Sequence, residues 1–372
     1  MKVTFLVKTL QQKLSQLSSV VKGSPTSPIY GYIRLDANAH GAVLSGNDIA
    51  ASLTLQVGVE EVAEPGSVLL PAKVLRDLVS ALPGEKVLLE TVDANSLKVK
   101  SGRYTAKLHT ESVENFPKFA KEEFTFRTTL GLSVLLALAE KASFAVPEAD
   151  GKFSANVALL ESTGKRINLV GTDGSQLVVA SVDGAATPFK LPLPKTALNL
   201  LSSLSGGETV DIKESGDEKG GAFLFSTSLD ELLVRKTSGQ FPPYEILFPS
   251  GYKTQIKVSK EDLLSAIERQ LPLADADIPA IIFGVVHDKC GVTLTFHADS
   301  SVAGESTDDI SVGSSGPEVT FKLNGDHVRQ FLEHAEGEVV INIGGEKSSP
   351  KVTDVIDFNS GENYRYVIVP LK

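Results

Sequence analysis

A turn motif that returns at a constant interval is the strongest constraint in this sequence. Gly171-Thr172-Asp173-Gly174 lies between two strand-like runs, and Gly46-Asn47-Asp48 has the same setting 125 positions earlier. A weaker copy, Ala298-Asp299-Ser300, follows the strand-like run 292–296, and its Asp lies 126 positions after Asp173. An interval of about a third of the chain is longer than that of solenoid repeats and predicts three copies of one domain.

Each third also opens with a helical pattern. Segment 130–145 is rich in Leu and Ala, and Ser259-Lys260-Glu261-Asp262 resembles a capping box that starts a helix. Strand-like runs follow at 28–35, 153–159 and 279–285. The first helix is predicted from one apolar stripe with spacings of three and four: Val7, Leu10, Leu14, Leu17 and Val21.

A second helix and a closing motif complete the repeat. Helix starts at 70–75, 193–198 and 323–328 are each followed by a Gly-Glu pair and a new strand. Phe116-Pro117 and Phe241-Pro242 lie 125 positions apart, after a strand in each case. The pattern predicts α+β domains at 1–121, 126–246 and 251–372, each with two helices packed on antiparallel sheets.

Composition narrows the class of protein. Among 372 residues, 36 Lys and Arg against 46 Asp and Glu give a net charge of −10, which argues against a general basic coat for nucleic acid. The apolar runs are too short to span a membrane, and the N-terminal one is too short for a signal peptide. The single cysteine, Cys290, excludes an intrachain disulfide. A cytoplasmic protein is expected.

The sequence offers little for catalysis. His327 and His334 share a predicted helix, but their spacing of seven is a poor metal signature, so we expect no metal and no cofactor. Asp48 and Asp173 are best interpreted as turn residues that bond their own backbone. We therefore predict a binding or scaffold protein and no enzyme. The alternative is an enzyme with an unrecognised carboxylate site between domains, centred on Asp173.

Several short motifs together resemble the bacterial DNA polymerase III beta subunit, the sliding clamp. The resemblance covers the whole chain, and it depends on the order of these motifs: Ser101-Gly102-Arg103, Asn115-Phe116-Pro117, Thr172-Asp173-Gly174, Gly239-Gln240-Phe241-Pro242-Pro243-Tyr244 and Tyr366-Val367-Ile368-Val369-Pro370-Leu371. It implies a ring formed by a head-to-tail homodimer, with helices lining a hole for double-stranded DNA.

The resemblance also implies a function in DNA replication. The ring would act as a processivity factor that tethers the replicative polymerase to DNA, independently of sequence. Its partners would be the DNA polymerase III alpha subunit, the clamp loader, and other DNA polymerases and repair proteins with clamp-binding motifs. A clamp paralogue that does not serve the main replicase is a further alternative.

Three sets of residues follow from the resemblance. The partner-peptide pocket would use Ala155, Thr172, Gly174, Ser175, Gln176, Leu177, Pro242, Ile246, Leu247, His327, Ser349, Val367, Val369, Pro370 and Leu371. The DNA channel would use Lys8, Lys13, Lys22, Lys73, Arg76, Lys141, Lys152, Lys195, Arg269 and Arg329. The dimer interface would pair the edge strand 104–110, with Leu108, to the third domain near Leu271 and Leu273.

This chain departs from the family pattern at three places. Clamps usually carry an aromatic residue or His and then Arg after Thr-Asp-Gly, where this chain has Ser175-Gln176, so different contacts beside the pocket are expected. Ser24 stands where the family often has a basic residue, which predicts weaker DNA contact there. The chain stops at Lys372, where many clamps have one more apolar residue, which predicts a shallower pocket or a different partner motif.

Overall fold

The structure is a computed structural model that describes most of the chain. It covers residues 1–119, 122–148, 156–184, 187–216, 220–237, 241–248, 251–289, 291–344 and 355–372. Within these ranges, no helix has both the length and the apolar character needed to cross a membrane.

Helices and strands follow the same order in each third, except that the first third has one additional strand, β5. The first third contains β1 (Lys2–Leu6), α1 (Val7–Leu17), β2 (Tyr32–Asn38), β3 (Gly41–Asn47), β4 (Ala51–Val57), β5 (Glu61–Glu64), β6 (Gly66–Pro71), α2 (Ala72–Ser80), β7 (Lys86–Asp93), β8 (Ser96–Ser101) and β9 (Tyr104–His109). The second contains β10 (Thr125–Gly131), α3 (Leu132–Ala142), β11 (Val157–Ser162), β12 (Arg166–Thr172), β13 (Gln176–Asp183), β14 (Phe189–Pro194), α4 (Lys195–Leu200), β15 (Thr209–Glu214), β16 (Ala222–Ser226) and β17 (Asp230–Arg235).

The last third repeats this order. It contains β18 (Thr254–Ser259), α5 (Lys260–Gln270), β19 (Ala280–Asp288), β20 (Gly291–Ser300), β21 (Gly304–Ser315), β22 (Val319–Asn324), α6 (Gly325–His334), β23 (Glu338–Ile343), β24 (Ile356–Ser360) and β25 (Tyr364–Ile368). Short 3-10 turns lie between them at Pro28–Gly31, Val113–Asn115, Ser143–Ala145, Leu201–Ser203, Glu245–Leu247 and Leu271–Leu273.

The strands pair antiparallel in three sheets. Five strands follow the order β5-β1-β7-β8-β9, and eight follow β10-β15-β16-β17-β4-β3-β2-β6. The third sheet has twelve strands, in the order β14-β11-β12-β13-β25-β24-β23-β18-β21-β20-β19-β22. The predicted α+β class with antiparallel sheets is confirmed.

The chain separates into two compact units whose bounds differ from the predicted thirds. The first unit comprises residues 1–136 and 196–238, and the second comprises 137–195 and 239–372. Strand pairing explains this division, because β17 pairs with β4 in the first unit and β13 pairs with β25 in the second. The division into domains 1–121, 126–246 and 251–372 stays a prediction.

These two pairings begin at the same position after each Asp turn. Ala51, three positions after the turn residue Asp48, lies opposite Val234 in the first unit. Gln176, three positions after Asp173, lies opposite Ile368 in the second unit. The repeat therefore extends from the element order to the way in which one copy pairs with the next.

The apolar spacing predicts most of the first helix, but α1 ends at Leu17, and Val21 of the predicted stripe lies half-buried beyond it. In α1 the buried positions are Val7, Leu10, Leu14 and Leu17. The predicted cap of α5 is present, because the Ser259 side chain accepts a hydrogen bond from the Asp262 N–H. In the second unit, Phe331 stacks on Tyr366 with ring centroids 4.9 Å apart, at the centre of an aromatic core.

Two sequence predictions of local structure are wrong. The strand predicted over 28–35 begins only at Tyr32, because Pro28–Gly31 forms a 3-10 turn that Pro28 starts. Ala298-Asp299-Ser300 is not a turn but the end of β20, and the turn follows, where the Ser300 hydroxyl accepts the N–H groups of Val302 and Ala303.

Candidate docking site and nucleic-acid interface

The turn between β12 and β13 is held by its own side chains. One carboxylate oxygen of Asp173 accepts the backbone N–H groups of Ser175 and Gln176 at 2.8 and 3.0 Å. Gly174 has φ of 91°, a conformation that side chains with a Cβ rarely adopt. Asp48 accepts two N–H groups in the same way, both at 2.7 Å. Both Asp side chains therefore serve the turn, as predicted from the sequence.

Gln176 connects this turn to the last strand of the chain. Its side chain donates to Asp173 at 2.9 Å and accepts the hydroxyl of Tyr366, also at 2.9 Å. The residue is only 4% exposed. The resemblance assigns Gln176 to the pocket lining, but its side chain is buried beneath the turn and stabilises it.

A small apolar cluster lies against the face of β13 that carries Leu177. The buried members are Leu159, Val170, Leu177, Val179 and Tyr244, and Phe241, Leu247 and Phe248 pack against them. The segment 241–248 therefore covers part of this sheet face. The structure brings the predicted pocket residues Leu177 and Leu247 into one cluster.

The end of the chain lies alongside the same turn. Val367 is paired with Leu177 across the β13–β25 ladder, and the Val369 N–H donates to the Ser175 carbonyl oxygen at 2.9 Å. Beyond it, the Leu371 N–H donates to the carbonyl of Lys322 at 2.8 Å. Val369, Pro370 and Leu371 are half-buried, so their side chains are partly exposed to solvent.

The remaining pocket candidates differ in exposure. Pro242 and Ile246 are exposed, whereas Thr172 is buried and donates its hydroxyl to the Gln176 carbonyl at 2.7 Å. Ala155 and Ser349 lie outside the described residues. Within the described part of the second unit, the candidate pocket residues thus include both exposed residues and buried ones.

His327 adds a polar group near this site. It is half-buried on α6, and its Nδ1 atom has no hydrogen-bond partner among the described residues. Burial lowers the pKa of His327, and the nearby carboxylates of Asp173 and Asp326 oppose that change. Within the part of the chain that the structure describes, this buried imidazole nitrogen is therefore left without a hydrogen bond.

A buried Tyr–Glu pair near the floor was not predicted from the sequence. The Tyr244 hydroxyl donates to the Glu161 carboxylate at 2.5 Å. Burial raises the pKa of Tyr244 well above its usual value, and Glu161 raises it further, so the hydroxyl keeps its proton. The Phe241-Pro242-Pro243-Tyr244 motif marks the tyrosine, but Glu161 lies 83 positions away with no local signal.

Some basic residues are exposed as expected for DNA contact. Lys8, Lys22 and Lys73 are exposed, with no ion pair among the described residues. Others are paired with carboxylates: Arg76 with Asp77, Lys141 with Glu336, Arg269 with Asp308, and Arg329 with Asp326 and Glu333. Lys152 lies outside the described residues.

Two of the lysines assigned to the channel are engaged inside the protein. Lys13 binds both carboxylate oxygens of the fully buried Asp230 at 3.1 Å, and its own side chain is 12% exposed. Lys195 is buried and donates to the Ser143 carbonyl oxygen. Burial lowers the pKa of Lys195. These placements remove Lys13 and Lys195 from the DNA contacts that we propose.

The interface candidates lie on different elements. Leu108 is half-buried in β9, which is the last strand of its sheet and pairs with β8. Leu271 and Leu273, both half-buried, lie in the 3-10 turn that follows α5. Among the described residues, no three His, Cys, Asp or Glu side chains are grouped so that they could hold a metal ion.

Known proteins resemble this chain in sequence and in fold. Residues 1–120 match the family described as DNA polymerase III beta subunit, N-terminal domain. The beta sliding clamps of Salmonella typhimurium and Escherichia coli K12 are each 24% identical to the chain, with 100% of both chains covered. The crystal structure of the beta subunit from Pseudomonas aeruginosa superimposes with a TM-score of 0.86 at 22% identity, again over 100% of both chains.

These likenesses confirm the resemblance predicted from the motifs. In its N-terminal third, along its full sequence and in its fold, this chain is similar to the bacterial DNA polymerase III beta subunit, the beta sliding clamp.

Proposed function

We propose that this protein is a DNA sliding clamp: two copies close head to tail into a ring around duplex DNA and tether the replicative polymerase to it. The observation that carries this proposal is the repeated pairing of β4 with β17 and of β13 with β25. Each pairing joins the strand after the Asp turn of one third of the chain to the last strand of the next third.

Within the described residues of one protomer, two strands are not joined in this way. One is the last strand of the first third, and the other is the strand after the turn of the final third. β9 is the last strand of the first third and ends its sheet. β21 follows the turn of the final third, and the outer edge of 304–312 has no partner strand among the described residues. Pairing β9 of one protomer with β21 of a second protomer would continue the repeat. It would also provide hydrogen-bond partners for the backbone groups at both strand edges.

This pairing refines the predicted interface. The third domain would contribute β21 itself, and Leu271 and Leu273 would pack near it, since the 3-10 turn that carries them contacts β20 and β21. Leu108, on β9, would face that surface. Because the same contact forms twice, the assembly closes as a dimer and does not extend into a filament.

DNA would be held by weak contacts to its backbone. Lys8, Lys22 and Lys73 support this role, because they are exposed and have no ion pair with any residue that the structure describes. A closed ring cannot dissociate sideways, so high affinity is unnecessary, and contacts that ignore the bases permit sliding. A net charge of −10 would keep other surfaces away from DNA.

Partner proteins would dock on the surface formed by Leu177, Leu247, Val369 and Leu371. An apolar floor with a few polar groups at its rim suits a short peptide that inserts apolar side chains. The partners would be the DNA polymerase III alpha subunit, the clamp loader, other DNA polymerases and repair proteins. The protein itself would catalyse no reaction, bind no cofactor and act in the cytoplasm, as three clamp domains at 1–121, 126–246 and 251–372.

Light scattering after size exclusion tests the ring directly. Two chains of 39.5 kDa should elute as one particle of about 80 kDa at micromolar concentration. A monomer over that range would contradict the ring. A primed-circle replication assay with a loader then separates a clamp for the main replicase from a paralogue, because only the former makes that polymerase processive.

A further inference from the structure

The segment 241–248 contributes Leu247 to the proposed docking surface. Leu247 packs against the apolar cluster that contains Leu177. The Leu247 N–H donates to the Tyr244 carbonyl oxygen at 3.0 Å, within a single 3-10 turn, so the position of Leu247 depends on that of Tyr244. Whatever holds Tyr244 in place therefore also holds this part of the docking surface.

Apolar packing does not enclose the segment on all sides. An open cavity of about 510 Å³ lies beside it, and both Tyr244 and Phe248 line this cavity, together with polar side chains such as Asn168, Ser181 and Asn359. Protein interiors normally leave few voids of that size, and close packing is what fixes a side chain in one position. Next to a cavity, directed polar contacts have to contribute to that task.

Two such contacts hold the segment against the sheet. The Tyr244 hydroxyl donates to the Glu161 carboxylate at 2.5 Å, and Glu161 is only 3% exposed. The Lys190 ammonium group lies 3.3 Å from the same carboxylate, so its charge is paired. Four positions after Tyr244, the Arg365 guanidinium lies over the Phe248 ring, 4.0 Å from its centroid.

The repeat offers an internal comparison for the tyrosine. Phe116-Pro117 and Phe241-Pro242 occupy corresponding positions 125 residues apart. By the same interval Tyr244 corresponds to Phe119, which has a ring but no hydroxyl. Only the later of these two segments borders the proposed docking surface, and it is the one that carries the hydroxyl.

The carboxylate also differs between the two copies. Glu161 corresponds to Asp36, because their partners on the next strand, Asn168 and Val43, lie 125 positions apart as well. Asp36 is partly exposed, and Arg34 on its own strand binds it at 2.8 Å. Among the described residues, the copies thus share the position of the carboxylate, whereas its burial and its bond to the segment belong to the second copy.

We propose that Glu161 and Tyr244 are positioning residues for partner docking: their hydrogen bond holds the segment 241–248 where Leu247 meets Leu177, so that the surface is formed before a peptide arrives. The proposal rests on the docking function proposed above. A buried carboxylate is costly to desolvate, and apolar residues in its place are often as stable, so fold stability is a poor explanation of the pair. A preformed surface binds more tightly, because the apparent affinity falls with the fraction of molecules in the binding-competent arrangement.

The test is calorimetric titration of the full-length protein with a short synthetic peptide that contains adjacent Leu and Phe residues. Tyr244→Phe retains the ring and removes only the hydroxyl. It should raise the dissociation constant about fivefold or more, because the segment loses a hydrogen bond to a carboxylate and is held less firmly. Glu161→Gln should bind the peptide as the wild-type protein does, since the amide oxygen still accepts the Tyr244 hydroxyl.

Tyr364→Phe is the matched control. Tyr364 is buried in the same unit, and its hydroxyl donates to the Lys141 carbonyl oxygen at 2.9 Å, away from the segment 241–248. Its substitution should leave the affinity for the peptide unchanged. Backbone hydrogen exchange is a second measurement: exchange in 241–248 should be faster in Tyr244→Phe than in the wild-type protein, and unchanged in Tyr364→Phe.

The outcomes separate this proposal from the docking function. Equal peptide affinity of the wild-type protein and Tyr244→Phe would overturn the positioning role and leave docking intact. Equal losses in Tyr244→Phe and Tyr364→Phe would also overturn it, because the effect would then come from general destabilisation. A Glu161→Gln protein as weak as Tyr244→Phe would remove Glu161 from the proposal. Failure of the wild-type protein to bind the peptide would instead contradict the proposed docking function.

Discussion

The Tyr366 hydroxyl donates to the side-chain oxygen of Gln176 at 2.9 Å, and both residues are almost fully buried. The other side of the Gln176 amide binds Asp173, which folds the turn. One side chain thus joins the last strand of the chain to the turn beside the docking site. Where many clamps carry a long basic residue, this chain has a buried structural amide.

Replacing Gln176 should therefore change stability before it changes recognition. Gln176→Ala leaves the buried Tyr366 hydroxyl without its acceptor, which should lower the free energy of unfolding by about 2–3 kcal/mol. Ser175→Ala, which removes an exposed hydroxyl, should change it by less than about 0.5 kcal/mol. Urea unfolding measures the free energy of unfolding of both variants. A loss for Gln176→Ala no larger than that for Ser175→Ala would show that the Gln176 contacts do not stabilise the fold.

The Lys13–Asp230 pair gives a second stability prediction. Lys13→Met leaves a fully buried carboxylate without its cation, which should cost roughly 3 kcal/mol. Lys8→Met, on the exposed side of the same helix, should cost less than about 0.5 kcal/mol. Unfolding of the two variants in denaturant measures the loss in the free energy of unfolding that each substitution causes. If Lys8→Met were the more damaging change, the assignment of Lys13 to the interior would fail.

His327 should make stability depend on pH. Its pKa is lowered in the folded state, so folding favours the neutral ring. The contribution of the neutral His327 ring to the free energy of unfolding is fully present above the unfolded pKa of about 6.5. It is lost as pH falls through the lower folded pKa. Between about pH 7 and pH 5, the wild-type protein should therefore lose more stability than His327→Gln. A pH profile of His327→Gln that is identical to that of the wild-type protein would contradict the prediction.

The half-buried side chains at the C-terminal end are the best probes of the docking site. Leu177 is 2% exposed and packs on Tyr244, so its substitution would confuse folding with binding. Val369→Ser and Leu371→Ser retain the backbone hydrogen bonds of 369 and 371, and together they should weaken a Leu-Phe clamp-binding peptide by about tenfold or more. Isothermal titration calorimetry measures this. Ile278→Ser, at an exposed apolar residue outside the site, is the control, and equal affinities would contradict the pocket.

Local sequence signals predicted much of the fold. The apolar spacing of α1, the Ser259 cap of α5 and the turns at Asp48 and Asp173 all depend on neighbours within a few positions. The structure bears these out. The constant interval between turns also indicated the repetition, and the strand after each turn pairs in the same way, β4 with β17 and β13 with β25.

Sequence reasoning was wrong where a distant partner decides the role of a side chain. In the sequence of α1 nothing distinguishes Lys13 from Lys8. In the structure, however, the Lys13 ammonium group donates to the carboxylate of Asp230, which lies 217 positions away. In the sequence Gln176 is simply a polar residue after a turn. Its structural role is evident only from its hydrogen bond with Tyr366, which lies 190 positions away. Such pairs cannot be predicted from local periodicity, because they arise only when the repeats pair with one another.

The edges of β9 and β21 allow the dimer interface to be tested by one substitution. Leu108→Asp places a carboxylate in the proposed contact and should shift the protein toward monomer, because an unpaired charge at an interface is costly to bury. Val92→Asp, at an exposed residue in the same sheet, should remain dimeric. Sedimentation velocity distinguishes the two states. A fully dimeric Leu108→Asp protein would exclude β9 from the interface.

Retention on DNA of different topology tests the encircling ring most directly. The protein is loaded by a clamp loader onto a nicked circular duplex, free protein is removed at high salt, and half of the sample is then linearised with a restriction enzyme. A ring should remain on the circle and slide off the linear ends, because the link is topological and the backbone contacts are weak. Equal retention on circular and linear DNA, or loss from both, would contradict the proposed clamp.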